Sequence, residues 1–198
     1  MIIDSNLLIT WGATYKKIAP GEVIFREGAT ANFYYQVDSG KVKWVSINDQ
    51  GTEFIHHIIG EGETFGELPL FDDEPYAATA VAETDGYVLR LHKNSFHQLM
   101  KENPDIHFAF TRLITQRLRY KFFLTREVAS HNPEHTLTSI LGELKKSKTH
   151  FCTDCNQLKL TRQQLADMTG MRVETVIRTM RNMSDKGLIK IKHGKVFC

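Results

Sequence analysis

The spacing of hydrophobic and polar positions changes character part-way along the chain. From about Trp11 to Val88, short runs of β-branched and aromatic residues alternate with glycines at Gly21, Gly28, Gly40, Gly51, Gly60, Gly62, Gly66 and Gly86. The runs include Val23-Ile24-Phe25, Phe33-Tyr34-Tyr35-Gln36-Val37 and Lys41-Val42-Lys43-Trp44-Val45. Such spacing predicts an antiparallel β-barrel or sandwich. Asp38-Ser39-Gly40 and Asn48-Asp49-Gln50-Gly51 have the composition of hairpin turns.

Beyond the strands the period becomes helical. Asn94 to Lys101 predicts a short helix stopped by Asn103-Pro104, and Asp105 to about Ser130 a long one. On the long helix, Ile106, Phe110, Leu113, Tyr120 and Leu124 form one stripe, and Ile114, Leu118 and Phe122 a second. One stripe can cover the barrel while the other meets the same helix of a second copy, although Gln116 and Arg117 interrupt that seam; the alternative is one broad stripe buried in a monomer. Asn132-Pro133 breaks the pattern and opens a helix from about Glu134 to Lys146. The expected division is a sensor domain over 1–104, a dimerisation helix over 105–131 and a third domain over 132–198.

In that third domain, Thr161 and Gln164 have capping-box spacing, and Gly170 can end the helix they start in a left-handed turn. Leu165 and Met168 point inward, and Ala166 is small enough for a close crossing. A second helix begins near Val173, with Val176, Met180 and Met183 at buried spacing. Val173, Glu174, Ile177, Arg178 and Arg181 fall on its other side. An arginine can donate a bidentate pair to guanine, a glutamate can accept from cytosine, and an isoleucine can meet a thymine methyl. These two helices therefore predict a helix-turn-helix reader of double-stranded DNA. Leu188 to Lys192 and Lys195 to Cys198, about His193-Gly194, predict a two-stranded wing, and a hairpin-like segment follows Lys145-Lys146-Ser147-Lys148.

Charge supports this division. The net charge of +2 conceals 8 Lys/Arg against 15 Asp/Glu over 1–104, and 17 against 8 over 105–198. A cationic half joined to an anionic half suits a nucleic-acid-binding module carried by something else. Three cysteines, Cys152, Cys155 and Cys198, do not suggest a disulfide scaffold. Residues 1–10 lack the pattern of a secretion signal, and no apolar run approaches the ~20 residues that span a bilayer. The expectation is a cytoplasmic protein without a membrane partner. No nucleophile-and-base set has a motif context, so no enzyme is expected.

In this order the elements resemble the Crp/Fnr family of bacterial transcription regulators over nearly the whole chain. The resemblance rests on Pro20-Gly21-Glu22-Val23-Ile24-Phe25, Glu27-Gly28, Gly40 and Phe65-Gly66-Glu67-Leu68 in the barrel. In the reader it rests on Leu160-Thr161-Arg162-Gln163-Gln164-Leu165-Ala166 and Val173-Glu174-Thr175-Val176-Ile177-Arg178. It implies an α+β chain with an N-terminal antiparallel β-barrel of the cyclic-nucleotide-binding jelly-roll kind, a long dimerisation helix and a C-terminal winged helix-turn-helix. It also implies a homodimer on a palindromic site, with RNA polymerase as a partner if the protein activates. Val173, Glu174, Ile177 and Arg178 would face bases, Glu174 and Arg178 sharing a G·C pair; Ile177 departs from the family's usual serine. Thr161, Arg162, Arg172, Thr175, Arg181, Lys190, Lys192 and Lys195 would hold phosphates.

The same resemblance places an effector pocket at Phe65, Gly66, Glu67, Leu68, Ala77, Ala78, Tyr120 and Lys121. Where cyclic-nucleotide-binding relatives have Arg-Ser/Thr, this chain has Ala77-Ala78, and Asp72, Asp73 and Glu74 precede them. A buried phosphate without a cation costs several kcal/mol, so cyclic AMP is not the expected effector. Lys121 could replace the arginine by reaching inward. No cofactor is predicted, and an unidentified small molecule is left open. The alternative reading is a redox or metal sensor through Cys152 and Cys155, acting mainly through protein partners. A single Cys-x-x-Cys pair falls short of a metal signature. His56, His57, His92, His97 and His107 are the histidines a haem could draw on, but surface or satisfied core histidines are the expectation.

Overall fold

A computed structural model describes residues 2–147, 150–152 and 154–198. Lys148 of the basic run and Thr153 of the Cys-x-x-Cys pair lie outside the described residues. The chain divides into two compact units, Met1–Gln116 and Arg117–Cys198.

The first unit opens with α1 (Ser5–Thr10), whose start is capped by Asp4: its Oδ1 accepts from the Asn6 and Leu7 amides at 2.9 and 3.3 Å. There follow β1 (Thr14–Ile18), β2 (Val23–Phe25), β3 (Phe33–Ser39), β4 (Val42–Ile47), β5 (Glu53–Ile59) and β6 (Thr64–Phe65). Then come a single helical turn α2 (Pro69–Asp72), β7 (Thr79–Ala82), β8 (Gly86–His92) and α3 (Lys93–Glu102). The strands make two four-stranded antiparallel sheets, ordered β1-β8-β3-β6 and β2-β7-β4-β5. The expected barrel is thus not closed by strand pairing. Two sheets of jelly-roll type share one core, to which Ile18, Tyr34 and Val88 come from one sheet and Val42, Ile59 and Ala80 from the other.

Only one of the two expected hairpin turns is a hairpin. Asn48 Oδ1 accepts from the Gln50 and Thr52 amides at 3.0 and 2.9 Å, and β4 pairs with β5 across it. Asp38-Ser39-Gly40 instead carries the chain from one sheet to the other, because β3 pairs with the distant β8. Gly40 is needed there: a Cβ would lie 2.5 Å from the Asp85 carbonyl oxygen.

The long helix α4 (Pro104–Ala129) starts in the first unit and ends in the second. Phe110 and Leu124 are buried, while Ile106, Leu113 and Tyr120 are half-buried. The opposite face differs from the expected second stripe. Leu118 and Phe122 are 53% and 69% exposed, but Ile114 is half-buried and Phe108 takes its place at 63% exposure. Phe108, Thr111, Thr115, Leu118, Phe122, Thr125 and Ala129 recur at alternating steps of three and four, and every one is exposed. Gln116 and Arg117 therefore lie beside this seam rather than in it.

The second unit continues with α5 (Pro133–Lys146), α6 (Arg162–Thr169), α7 (Val173–Asp185), β9 (Lys190–Lys192) and β10 (Lys195–Phe197). A polar knot joins the end of α4 to α5. Glu127, only 3% exposed, accepts from Arg126 Nε and Nη2 at 2.9 and 2.8 Å, and its other oxygen lies 3.0 Å from His135 Nε2. Its backbone carbonyl accepts from the Thr136 and Ser130 hydroxyls at 2.8 and 2.7 Å. Nothing in the sequence pattern pointed to this buried carboxylate. Leu137, Ile140, Leu141 and Leu144 of α5 are buried at helical spacing.

Candidate nucleic-acid interface

The C-terminal helix pair forms for local reasons. Thr161 Oγ1 accepts from the Gln164 amide at 3.0 Å, and the Thr161 amide donates to Gln164 Oε1 at 2.7 Å, a complete capping box. Gly170 ends α6 at φ 69°, in the left-handed region where glycine has no Cβ to clash. Leu165, Ala166 and Met168 are buried against α7, and Ala166 is the small residue that lets the helices cross closely. Val176, Met180 and Met183 are at most 1% exposed, and Thr179, not singled out from the sequence, is buried with them.

The other face of α7 is free. Glu174, Ile177, Arg178 and Arg181 are exposed, and Val173 and Thr175 are half-buried. Although Glu174 and Arg178 are one turn apart, no hydrogen bond or ion pair among the described residues engages Glu174, Arg178 or Arg181. Arg172 precedes the helix as its cap without a side-chain hydrogen bond, so the first amides of α7 keep their donors. A carboxylate, an alkyl group and two guanidinium forks stand on one helical surface with no internal task.

The remaining candidate cations surround this helix in sequence. Lys190, Lys192 and Lys195 are exposed on the wing, where Lys192 pairs opposite Lys195. His193 and Gly194 turn the wing at φ 47° and 75°, the positive angles a tight hairpin needs. Thr161 is exposed and Arg162 half-buried at the start of α6. Like charges at Lys192 and Lys195 repel, which argues for a polyanion as their partner.

The expected effector pocket is assembled only in part. A cavity of about 40 Å³ is lined by Phe25, Trp44, Gly66, Leu68, Pro69, Tyr76, Ala77 and Ala78. Phe65 and Glu67 are buried outside the lining, Glu67 accepting from Thr64 Oγ1 at 3.5 Å. Tyr120 and Lys121 belong to the second unit, where burial raises the Tyr120 pKa and lowers that of Lys121. Phe25, which sequence reasoning missed, stacks on Tyr76 with ring centroids 3.7 Å apart. A Cβ on Gly66 would come 2.9 Å from the Phe25 ring. Pockets for small molecules run to about 300–1,000 Å³. No cation lines this one, so its residues do not fit a cyclic nucleotide.

Comparison with known proteins accords with both units. The family model of the cyclic nucleotide-binding domain matches residues 15–103, and that of the Crp-like helix-turn-helix domain matches residues 135–197. The chain belongs to the Crp/Fnr family of bacterial transcription regulators. It is 29% identical over 195 residues to the cAMP-activated global transcriptional regulator CRP of Haemophilus influenzae, covering 95% of this chain and 86% of that one. It is 29% identical over 201 residues to the anaerobic regulatory protein of Bacillus subtilis, covering 98% and 84%. The solved structure of the c-di-GMP-responsive global regulator CLP of Xanthomonas campestris superposes with a TM-score of 0.78 at 22% identity, covering 98% of each chain. Crp/Fnr proteins are DNA-binding transcription regulators, and the exposed face of α7 belongs to the Crp-like reader. No helix among the described residues is long and apolar enough to cross a membrane.

Proposed function

We propose that this Crp/Fnr regulator works in the cytoplasm as a homodimer on a palindromic site, the two copies of α7 entering successive major grooves ~34 Å apart. In this reading Val173, Glu174, Ile177 and Arg178 face base edges. Thr161, Arg162, Arg172, Thr175, Arg181, Lys190, Lys192 and Lys195 contact phosphates, which fix register without reading sequence. Residues 1–104 act as the sensor, 105–131 as the dimerisation helix and 132–198 as the reader. RNA polymerase is a further partner where bound protein activates.

One observation carries the reading: α7 buries one face completely and leaves an unpaired acid, alkyl group and two arginines on the other. The exposed heptad seam of α4 supports the dimer, since aromatic and leucine side chains at that spacing are satisfied by the same seam on a second helix. Selection of bound duplexes from a random pool tests it. The expected product is an inverted repeat with half-sites one helical turn apart; a single half-site, or no enrichment, overturns the dimeric reader.

In the same reading, neither cyclic AMP nor cyclic GMP is an effector. The Phe25–Tyr76 stack and Ala77-Ala78 leave neither the room nor the cation that a cyclic phosphate needs. Calorimetric titration with cyclic AMP and cyclic GMP should show no binding and no change in DNA affinity. Saturable binding of either would overturn this part alone.

A further inference from the structure

The Cys-x-x-Cys pair is a sequence feature of the reader that DNA reading leaves unused. Cys152 is half-buried and Cys155 exposed, and neither is in a disulfide. They sit in a turn closed by the Asn156 amide donating to the Cys152 carbonyl at 3.0 Å, while the Cys152 amide donates to the Gln157 carbonyl at 2.8 Å. The Asn156 amide thus bonds back to the carbonyl four positions earlier, and a turn closed in that way brings positions three apart within reach. Disulfides join residues whose Cα atoms are about 4.4–6.8 Å apart, a span that such a turn meets.

The turn is also tied to the wing. Phe151 bridges to Leu158, Gln157 bridges to Phe197 of β10, and the Leu158 amide donates to the Val196 carbonyl at 2.8 Å. The Cys198 amide donates to the Asn156 carbonyl at 3.3 Å. Two residues past Leu158 the chain reaches buried Leu160 and then the Thr161 cap of α6. A change in the cysteine turn therefore meets the wing edge directly and the reader's first helix a few residues later.

We infer that Cys152 and Cys155 form a reversible dithiol–disulfide site whose state is transmitted to DNA affinity through β10. This rests on the DNA-reading function proposed above. The co-reactant is a low-molecular-weight disulfide. The Cys152 thiolate attacks one of its sulfurs, its S–S bond breaks, one thiolate leaves, and a mixed disulfide forms on Cys152. Cys155 gives its proton to solvent and attacks the Cys152 sulfur, which releases the second thiolate. Two protein thiols are oxidised to one disulfide, and the reagent disulfide is reduced to two thiols; excess thiol runs the steps backward.

The roles of the three cysteines follow from their surroundings. The Asp154 amide, the Cys155 thiol and the Cys155 amide all donate to Cys152, and they lower its pKa. Burial raises that of Cys198, which makes it the poorer nucleophile and an internal control. Two sulfurs are also short of the four ligands a structural zinc takes.

The test equilibrates the full-length protein in buffers of varied oxidised-to-reduced glutathione ratio, maps thiols by alkylation and peptide mass, and titrates the same samples with the selected palindrome. The expected result is a Cys152–Cys155 peptide two hydrogens lighter, reversed by added thiol, with Cys198 still free. DNA affinity should shift by about fivefold or more, the low end of ordinary coupling between sites. Cys198→Ser should keep both responses, and Cys152→Ser and Cys155→Ser should lose both while binding DNA like the reduced protein. Three free thiols at every ratio, or a bond through Cys198 or between chains, overturns the site. A Cys152–Cys155 disulfide with unchanged DNA affinity overturns the transmission through β10. If reduced protein selects no DNA, the function proposed above fails, and the thiol map still decides whether the site exists.

Discussion

Two helices of this chain leave a whole face uncovered, and the chemistry of the two faces is opposite. Along α4 the exposed positions at heptad spacing are Phe108, Leu118 and Phe122, together with three threonines and Ala129. Along α7 they are Glu174, Ile177, Arg178 and Arg181. Exposed aromatic rings gain free energy wherever water leaves them, so their preferred partner is another apolar surface. Exposed guanidinium groups lose hydration on burial and gain only where phosphates or base edges replace it. The first face suits a second copy of the chain and the second suits a polyanion. Added salt should therefore weaken DNA binding steeply while leaving self-association nearly unchanged.

The sharpest way to break this contrast is to give α4 the chemistry of α7. Leu118→Glu combined with Phe122→Glu would place unpaired carboxylates in a desolvated seam, at several kcal/mol each. Sedimentation should report a monomer, and affinity for the palindrome should fall about 100-fold or more while each unit stays folded. An unchanged dimer would show that the seam is not the self-association surface. The next effect concerns the hidden side of α7. Met180→Ala empties a fully buried site, which costs about 2–5 kcal/mol of unfolding free energy in the second unit. Chemical denaturation should detect this; a loss below about 0.5 kcal/mol, the size of an ordinary surface substitution, would mean that the helix is not anchored there.

How much of the contrast was readable beforehand depends on how local its causes are. The capping box at Thr161, the turn at Gly170 and the buried series Val176, Met180, Met183 are set by neighbours within a turn or two, and they stood where the sequence put them. Asn48-Gly51 was legible because Asn48 bonds its own turn. Asp38-Gly40 has similar composition but was misread, since what decides its shape is β8, almost fifty residues away. The effector pocket divides in the same way. That Ala77-Ala78 supply no cation is evident from two letters, whereas the Phe25–Tyr76 stack joins residues far apart in the sequence. Phe108 was overlooked because Thr111 and Thr115 dilute the apolar signal between it and Leu118. No periodicity marks Glu127 as buried, because an acid amid arginine and threonine reads as surface.

Within the reader a smaller effect separates reading from holding. Arg178→Ala should cost about 1–3 kcal/mol at one base-pair position and relax the preference there. Lys192→Ala should weaken all duplexes alike and reduce the slope of log affinity against log salt by about one. Competition binding with single-base variants of the palindrome distinguishes the two. A uniform loss in Arg178→Ala would assign that side chain to a phosphate.

The smallest expected effect lies between the two faces, at Glu127, where α4 meets α5. The Ser139 hydroxyl and then the Arg126 guanidinium hold its carboxyl below the usual carboxylate range, with His135 adding a favourable charge when protonated, against the opposing effect of burial. Because the folded pKa is depressed, the stabilisation is fully present above the unfolded value. It is lost as pH falls through the folded value. The stability difference between wild type and Glu127→Gln should accordingly be largest near neutrality and shrink on acidification, as followed by denaturant melts of the full chain. The amide keeps the shape and one acceptor but cannot attract Arg126 by charge. A difference that stayed constant through the acid range would mean that the knot holds α4 to α5 by hydrogen bonds alone, without help from ionisation.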